Sequence, residues 1–153
     1  MKKYLYLLII GIIFITGCTD NKLFPDIVEE KELVCTKDIT TTDIPMLQTV
    51  NIKFINNKIE TMNTNILVTL SDVYKSAIDT FVKSFEESYS NQYKDNEHIK
   101  VDVSKKSNLE IFINVDIDYK NMTDEEKVNS KLTGSEEYSV NKMQFESKGY
   151  TCK

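Results

Sequence analysis

The sequence predicts an α+β fold, in which an antiparallel sheet of about five strands has one long helix and a short C-terminal helix packed on one face. Two patterns predict it. Several short stretches alternate between apolar and polar residues and are separated by turn residues, as in strands joined by hairpins. One longer stretch instead repeats apolar residues every three or four positions, as an amphipathic helix does.

Two strands and a loop begin the predicted domain. Residues 32–37 form a candidate strand centred on apolar side chains. Residues 39–45 are rich in Thr and include a proline, which favours a loop. Residues 50–54 then alternate between apolar and polar side chains, which is the pattern of a strand with one buried face.

A third strand is predicted over residues 58–70. Asn56 and Asn57 precede it, and asparagine tolerates the left-handed backbone that tight hairpin turns require. Ile59 is out of phase with the apolar residues that follow it, so we expect a β-bulge near residues 60–62.

The long helix is predicted to begin at Ser71 or Asp72, either of which can cap it, and to end near Gln92. It would span about 20 residues, or roughly 30 Å. Its apolar residues recur at spacings of three and four, which predicts a single stripe that faces the core. The stripe consists of Val73, Ala77, Ile78, Phe81, Phe85 and Tyr89.

A second hairpin follows the helix. Residues 99–103 alternate between apolar and polar side chains, and residues 109–117 give the longest regular alternation in the chain. Phe112 points away from the face that carries Ile111 and Ile113, because successive side chains on a strand point to opposite sides. Phe112 is therefore the best candidate for a residue that contacts a binding partner.

Two short helices are predicted near the C-terminus. Thr123 and Glu126 have the spacing of a capping box. The last helix is predicted to be capped by Ser139 and to end at Gly149, a residue that readily terminates helices in the left-handed conformation. Its core-facing residues would be Val140, Met143 and Phe145.

The N-terminus has the pattern of a secretory signal. Lys2 and Lys3 precede an apolar stretch that runs from Tyr4 to Ile15. The next residues complete Ile-Thr-Gly-Cys at positions 15–18, which resembles the lipobox of bacterial lipoproteins. The alternative is an uncleaved anchor, but a spanning helix needs about 20 apolar residues and this stretch is shorter.

The lipobox resemblance implies cleavage before Cys18 and a diacylglyceryl group on its thiol, with palmitate as a typical acyl chain. The chain then divides into a signal peptide over residues 1–17, a lipidated tether over residues 18–30 and a single α+β domain over residues 31–153. Two acyl chains hold a protein stably, whereas one binds only marginally. We expect the domain at the cell membrane, on its extracytoplasmic side.

Composition limits the kinds of partner. Removal of residues 1–17 takes away Lys2 and Lys3, so 17 of the 19 basic residues remain against 24 acidic ones, a net charge of −7. All basic residues are lysines. An acidic chain argues against nucleic acid, and the lack of arginine removes the natural bidentate donor for phosphate or carboxylate. The membrane is expected as a partner through lipid alone, and a protein or small-ligand partner is not identified.

Cys35 and Cys152 remain after lipidation of Cys18. An even pair in an exported protein favours a disulfide, with two separate buried thiols as the alternative. Such a crosslink would close a loop of roughly 117 residues and stabilise the fold by at most about 4–5 kcal/mol on the chain-entropy model. The pair lacks the spacing of a catalytic dithiol, so its predicted role is structural.

No catalytic residue, metal site or cofactor is predicted. His98 is the single histidine, and we expect it to be a solvated loop residue, since no serine has the setting of a nucleophile. Residues 116–127 fail as a calcium loop because they lack the required glycine and the final glutamate. Once the two cysteines are paired, the chain offers no cluster of ligands for zinc.

The element order, the lipobox and the C-terminal stretch together resemble the YehR-like family of small bacterial lipoproteins. The matching stretches are residues 50–54, the helix that follows Leu70 and Ser71, and the ending over residues 143–150. The resemblance implies an α+β lipoprotein domain of unestablished function. Because some family members lack cysteines, it also implies that the Cys35 and Cys152 pair is not needed for whatever the group shares.

Three function classes follow from these observations. The first is a non-enzymatic, lipid-anchored domain that acts by binding or interaction. The second is an envelope hydrolase or modifying enzyme, which would need a cleft lined by carboxyl groups whose pKa values are raised. The third is a surface factor that protects the cell by blocking another protein.

Overall fold

The structure is a computed structural model that describes residues 28–41, 44–132 and 134–153. The predicted signal peptide, most of the tether and Cys18 lie outside the described residues. Within the described ranges, no helix combines the length and the apolar character needed to cross a membrane.

The described chain folds into a six-stranded antiparallel sheet, one strand more than about five. The order of the strands across the sheet is β4-β5-β3-β2-β1-β6, and the predicted α+β class is confirmed. In chain order the strands are β1 (Glu30–Asp38), β2 (Met46–Ile55), β3 (Lys58–Thr69), β4 (Ile99–Lys105), β5 (Glu110–Ile117) and β6 (Thr151–Cys152).

The hairpin between β2 and β3 has the predicted turn and bulge. Asn56 and Asn57 adopt φ values of 51° and 63°, in the left-handed region. The pairing register then shifts by one residue and leaves Glu60 without a partner on β2. This bulge turns Ile59 into the core, where it is 6% exposed.

The long helical segment begins with a 3₁₀ helix over Asp72–Ala77 and continues as helix α1 over Ile78–Tyr93. Tyr74 and Phe81 lie edge to face, with ring centroids 5.6 Å apart. The prediction that Val73 belongs to the core stripe is wrong, because Val73 is 80% exposed. A 3₁₀ helix has about three residues per turn, so Tyr74 and Ala77 share one side and Val73 is turned away from it.

The two short helices are α2 (Asp124–Asn129) and α3 (Tyr138–Ser147). The capping box of Thr123 and Glu126 is present and confirms that prediction. The predicted cap at Ser139 is wrong, since α3 begins at Tyr138 and its N-cap is Glu137, two residues earlier. Gly149 ends the helix with a φ of 84°, as predicted.

Met143 was expected to face the core and does not, because it is 61% exposed. Tyr138 and Phe145 pack against the core instead, because residues about two turns apart lie on the same face of a helix. The Tyr138 ring meets Phe54 edge to face at 5.3 Å between centroids. Because Tyr138 and Phe145 face the core, Met143 lies on the opposite, solvent side of the helix.

The core lies between the helices and the inner face of the sheet. Leu33, Ile52 and Phe54 are completely buried there. The half-buried aromatic residues Phe81, Phe85, Tyr89 and Tyr93 of the long helix pack against this core, and the helix lies against β4 and β5. Burial of one large apolar side chain stabilises a fold by about 1.5–3 kcal/mol, so this face supplies most of the stability.

Cys35 and Cys152 form the predicted disulfide, with an S–S distance of 2.04 Å and a sequence separation of 117. The two residues are also paired directly across β1 and β6. Val34 and Lys153 exchange backbone hydrogen bonds at 3.0 Å on the same edge. The crosslink thus fixes the C-terminal end of the chain against the edge of the sheet.

Candidate functional site

The helices leave the outer face of the sheet uncovered, and the centre of that face carries a compact group of side chains. The register places three rows of residues side by side on β2, β3 and β5. We call this group the open-face patch. Its rows are Leu47, Leu67 and Phe112; Thr49, Asn65 and Asn114; and Asn51, Asn63 and Asp116.

The first row is apolar. Leu47 pairs with Leu67, and Leu67 pairs with Phe112, so the three side chains are cross-strand neighbours. Leu47 is 49% exposed, whereas Leu67 and Phe112 are half-buried. Phe112 lies on the face opposite to Ile111 and Ile113, and its role as a contact residue stays a prediction.

In the other two rows every residue except Thr49 belongs to a hydrogen-bonded amide network with Asn63 at its centre. Its carbonyl oxygen accepts hydrogen bonds from the amides of Asn51, at 3.3 Å, and Asn65. Its own amide donates to the oxygens of Asn114, at 2.6 Å, and Asp116. The Asn114 amide donates in turn to Asp116 at 2.6 Å. Both polar atoms of Asn63 are therefore fully used.

The residues around Asn63 keep unused hydrogen-bonding capacity. Among the described residues, the side-chain carbonyls of Asn51 and Asn65 accept no hydrogen bond. A side-chain amide carries two hydrogens, so Asn51, Asn65 and Asn114 each retain an N–H for another acceptor. The network thus holds these side chains in position, and their unused N–H and carbonyl groups can bind a polar ligand.

A shallow recess of about 450 Å³ adjoins the network at one corner of the sheet. Asn63 and Asp116 lie on its border and belong to the open-face patch as well. The volume falls within the range typical of small-molecule sites, which is about 300–1,000 Å³. The remaining lining residues are Thr61, Met62, Glu97, His98, Lys100, Ile117 and Asp118.

His98 lines this recess and is less solvated than the sequence predicts, with its side chain 24% exposed. Its Nε2 atom lies 3.9 Å from a carboxylate oxygen of Glu126 and 4.0 Å from one of Glu97. The start of α2 brings Glu126 to this position. No serine or cysteine is among its described lining residues, and Thr61 is the one hydroxyl-bearing residue there.

Two carboxyl groups in the described part of the chain have shifted pKa values, and both values are lowered. The Thr40 hydroxyl and backbone N–H lower the pKa of Asp38. The backbone N–H and hydroxyl of Thr123 lower the pKa of Glu126, and His98 adds a smaller effect in the same direction. A general acid needs a raised pKa, which is the opposite direction.

Among the residues that the structure describes, no group of three His, Cys, Asp or Glu side chains could hold a metal ion. Asp118 is occupied by a hydrogen bond from the Asn121 amide at 2.8 Å. Cys35 and Cys152 are consumed by their disulfide. Cys18, the predicted lipidation site, lies outside the described residues and stays a prediction.

Sequence reasoning found Phe112 but missed the four asparagines of the amide network. A usable signal was present, because asparagine is depleted in strands and Asn51, Asn63, Asn65 and Asn114 all occupy outward strand positions. Their convergence depends on β5 lying beside β3 rather than at the far edge of the sheet. The local sequence pattern does not indicate that β5 is the neighbour of β3.

Comparison with known proteins identifies a shared fold and no more. No protein-family model matches the chain, and no curated protein matches it. An NMR structure of a protein from Streptococcus pneumoniae TIGR4 superimposes with a TM-score of 0.53 and 13% sequence identity, over 85% of this chain and 88% of that chain. At this identity the likeness shows the fold alone.

Proposed function

We propose that this protein is a membrane-anchored extracytoplasmic lipoprotein whose domain binds its partner, without catalysis, through the open-face patch. The lipobox resemblance at residues 15–18 supports the anchor on Cys18. The disulfide between Cys35 and Cys152 agrees with an oxidising compartment. Membership of the YehR-like family is part of the same proposal and rests on the sequence resemblance.

The observation that carries the binding role is the amide network beside the apolar row. An outer sheet face that only has to be solvated needs no connected network, because water satisfies isolated polar side chains equally well. Here Asn63 instead fixes the positions of Asn65 and Asn114 next to Phe112. Polar groups held in place beside an aromatic ring form a typical ligand-binding arrangement.

The alternative, an envelope hydrolase or modifying enzyme, receives less support. It requires an acid with a raised pKa in a cleft. The recess holds about 450 Å³, yet Glu126, the carboxylate near His98 at 3.9 Å, has its pKa shifted downward. The lowered pKa of Glu126 therefore gives the alternative no support.

The anchor is tested by mass spectrometry of the protein from membranes, with and without reductant. We expect a chain that begins at Cys18 with added diacylglyceryl mass, and a gain of two hydrogens on reduction of the disulfide. The Cys18→Ser variant should leave the membrane fraction. A chain that retains Met1 and carries no acyl mass would contradict the proposed location.

The binding role is tested by NMR on the mature, isotope-labelled chain with Cys18→Ser, titrated with solubilised envelope fractions. We expect shifts at Leu67, Phe112 and Asn114, and their loss in Leu67→Glu. Val73→Glu is the matched control, since Val73 is an exposed apolar residue on the helix side. Shifts confined to the helix side, or turnover of an envelope substrate, would refute the proposal.

A further inference from the structure

We propose that the ligand of the open-face patch is an uncharged glycan chain built from N-acetylated amino sugars. This inference rests on the proposed function, because it names the ligand of the same surface. Four features of the patch carry it: its unused amide groups, its apolar row, its flat shape with an adjoining recess, and its charge.

The unused amide groups match the polar groups of such a glycan. Each sugar hydroxyl both donates and accepts hydrogen bonds, and each acetamido group offers one N–H and one carbonyl. Asn51 and Asn65 present a free carbonyl together with an N–H, and Asn114 presents an N–H. These three residues surround Asn63, so the network fixes their orientation before a ligand arrives and lowers the entropy cost of binding.

The apolar row matches the apolar surfaces of an amino sugar. A pyranose ring has faces of C–H groups that pack on an aromatic ring, and the acetamido methyl is also apolar. Phe112 supplies the aromatic surface, with Leu67 beside it and Leu47 49% exposed at the end of the row. Phe112 pairs with Leu67 while Asn114 pairs with Asn65, so apolar and amide rows are only two residues apart along each strand.

The shape of the surface suits an extended polymer. At about 3.3 Å per residue and about 4.8 Å between strands, the three rows cover roughly 13 Å along the strands and roughly 10 Å across them. The recess of about 450 Å³ continues the surface beyond Asn63 and Asp116. A flat strip that ends in a recess accommodates several sugar units and one terminal or branching group.

The charges favour an uncharged ligand over an anionic one. Within the patch Asp116 is the one charged residue, and it is already hydrogen-bonded to Asn63 and Asn114. The proposed mature chain has a net charge of −7 and contains no arginine. Phosphate-rich or carboxylate-rich polymers would therefore be repelled, whereas a neutral glycan is not.

The apolar row of the patch lies far from the residue where the tether joins the sheet. The tether joins β1 at Glu30, which pairs with Ile55, whereas Asp38 at the other end of the strand pairs with Leu47 of the apolar row. The eight steps between Glu30 and Asp38 correspond to roughly 26 Å. The apolar row thus lies at the end of the sheet that is remote from the tether.

The test is an NMR titration of the mature Cys18→Ser chain with chitotetraose, the β-1,4-linked tetramer of N-acetylglucosamine. We expect saturable shifts at Asn65, Phe112 and Asn114. Phe112→Ala should raise the Kd about tenfold or more, since burial of an aromatic ring contributes about 1.5–3 kcal/mol. Asn65→Leu, which removes the free amide groups, should also weaken binding.

Two matched controls separate the site from general effects of substitution. Val73→Ala truncates an exposed apolar residue on the helix side, and Asn108→Ala removes an exposed turn asparagine. Both should keep the wild-type Kd. Cellotetraose, which has the same linkage without acetamido groups, should bind several-fold more weakly, and equal binding would overturn the assignment of amino sugars.

The outcomes distinguish this inference from the proposed function. If chitotetraose causes no shift while an envelope protein fraction shifts Leu67 and Phe112, the glycan inference fails and the binding role stands. If neither ligand shifts the patch, both fail. Concentration-dependent shifts of the patch without any ligand would identify a second copy of this chain as the occupant and overturn the glycan inference.

Discussion

Alternate residues of β5 belong to two different surfaces. Ile111 and Ile113 are at most 1% exposed on the inner face, whereas Phe112 and Asn114 are half-buried and Asp116 is exposed on the outer face. Helices cover the first surface and nothing in the described chain covers the second. The inner face is held by apolar burial, and the outer face by a network of side-chain hydrogen bonds.

The comparison separates a surface that stabilises the fold from the surface that we propose for recognition. Apolar residues on the inner face need only pack, so their identities follow from size and hydrophobicity. The asparagines of the outer face have poor strand propensity and gain little stability, since a net hydrogen bond contributes about 0.5–1.5 kcal/mol. Residues that break a local rule in one connected place are typical of a functional surface.

The largest expected effect comes from comparing one phenylalanine on each face. Phe54 is fully buried and meets Tyr138 at 5.3 Å, so Phe54→Ala should lower the free energy of unfolding by about 3–5 kcal/mol. Phe112→Ala, on the outer face, should cost less than about 1.5 kcal/mol because Phe112 is only half-buried.

Urea denaturation with the disulfide intact measures both values on the same scale. The m-value serves as the control, since an unchanged slope means that stability rather than compactness has altered. Equal losses for the two variants would contradict the division into a stabilising face and a recognition face.

A smaller effect is expected at the centre of the amide network. Asn63→Asp removes two donated hydrogen bonds and places a carboxylate next to Asp116, which should cost about 1–3 kcal/mol. Asn108→Asp, at an exposed turn, should change stability by less than about 0.5 kcal/mol.

Chemical denaturation at neutral pH and again near pH 3 separates the two causes of this loss. Protonation of the new carboxyl at low pH should restore part of the stability, because it removes the repulsion from Asp116. The same loss for Asn63→Asp and Asn108→Asp would mean that the network adds nothing to the outer face.

The smallest effect concerns the corner where the outer face meets α2. Thr123→Ala removes the hydroxyl that accepts from the Glu126 backbone N–H at 3.2 Å and should cost about 1 kcal/mol. Ser139→Ala is the matched control, because Ser139 makes no capping bond in α3 and should change stability by less than about 0.5 kcal/mol.

The pH dependence of the free energy of unfolding tests the same contact through the pKa of Glu126. Thr123 lowers the pKa of Glu126 in the folded state, so this stabilisation is present above the ordinary glutamate pKa of about 4.3 and is lost as the pH falls through the lowered value. Thr123→Ala should flatten that part of the stability profile. A profile identical to that of the wild type would show that the capping box does not act on Glu126.

Local patterns predicted most of the fold because each depends on neighbouring residues. The Asn56 turn, the bulge beside Ile59, the capping box at Thr123 and the terminator Gly149 were all readable from short stretches. The errors at Val73, Ser139 and Met143 concern helix type, helix start and helix face. A 3₁₀ turn replaces the first α-helical turn, the last helix has its N-cap two residues earlier than predicted, and periodicity over ten residues did not identify the face that packs on the core.

The sequence by itself determined the composition of both faces, the acidic charge and an even pair of cysteines for the domain, because these depend on residue type and order. Only the tertiary structure decided that β5 inserts beside β3, with β4 at the edge. That neighbour relation brings Asn114 to Asn63 and Phe112 to Leu67. Pairing of strands distant in the chain is selected by burial of the whole inner face, which no local pattern contains.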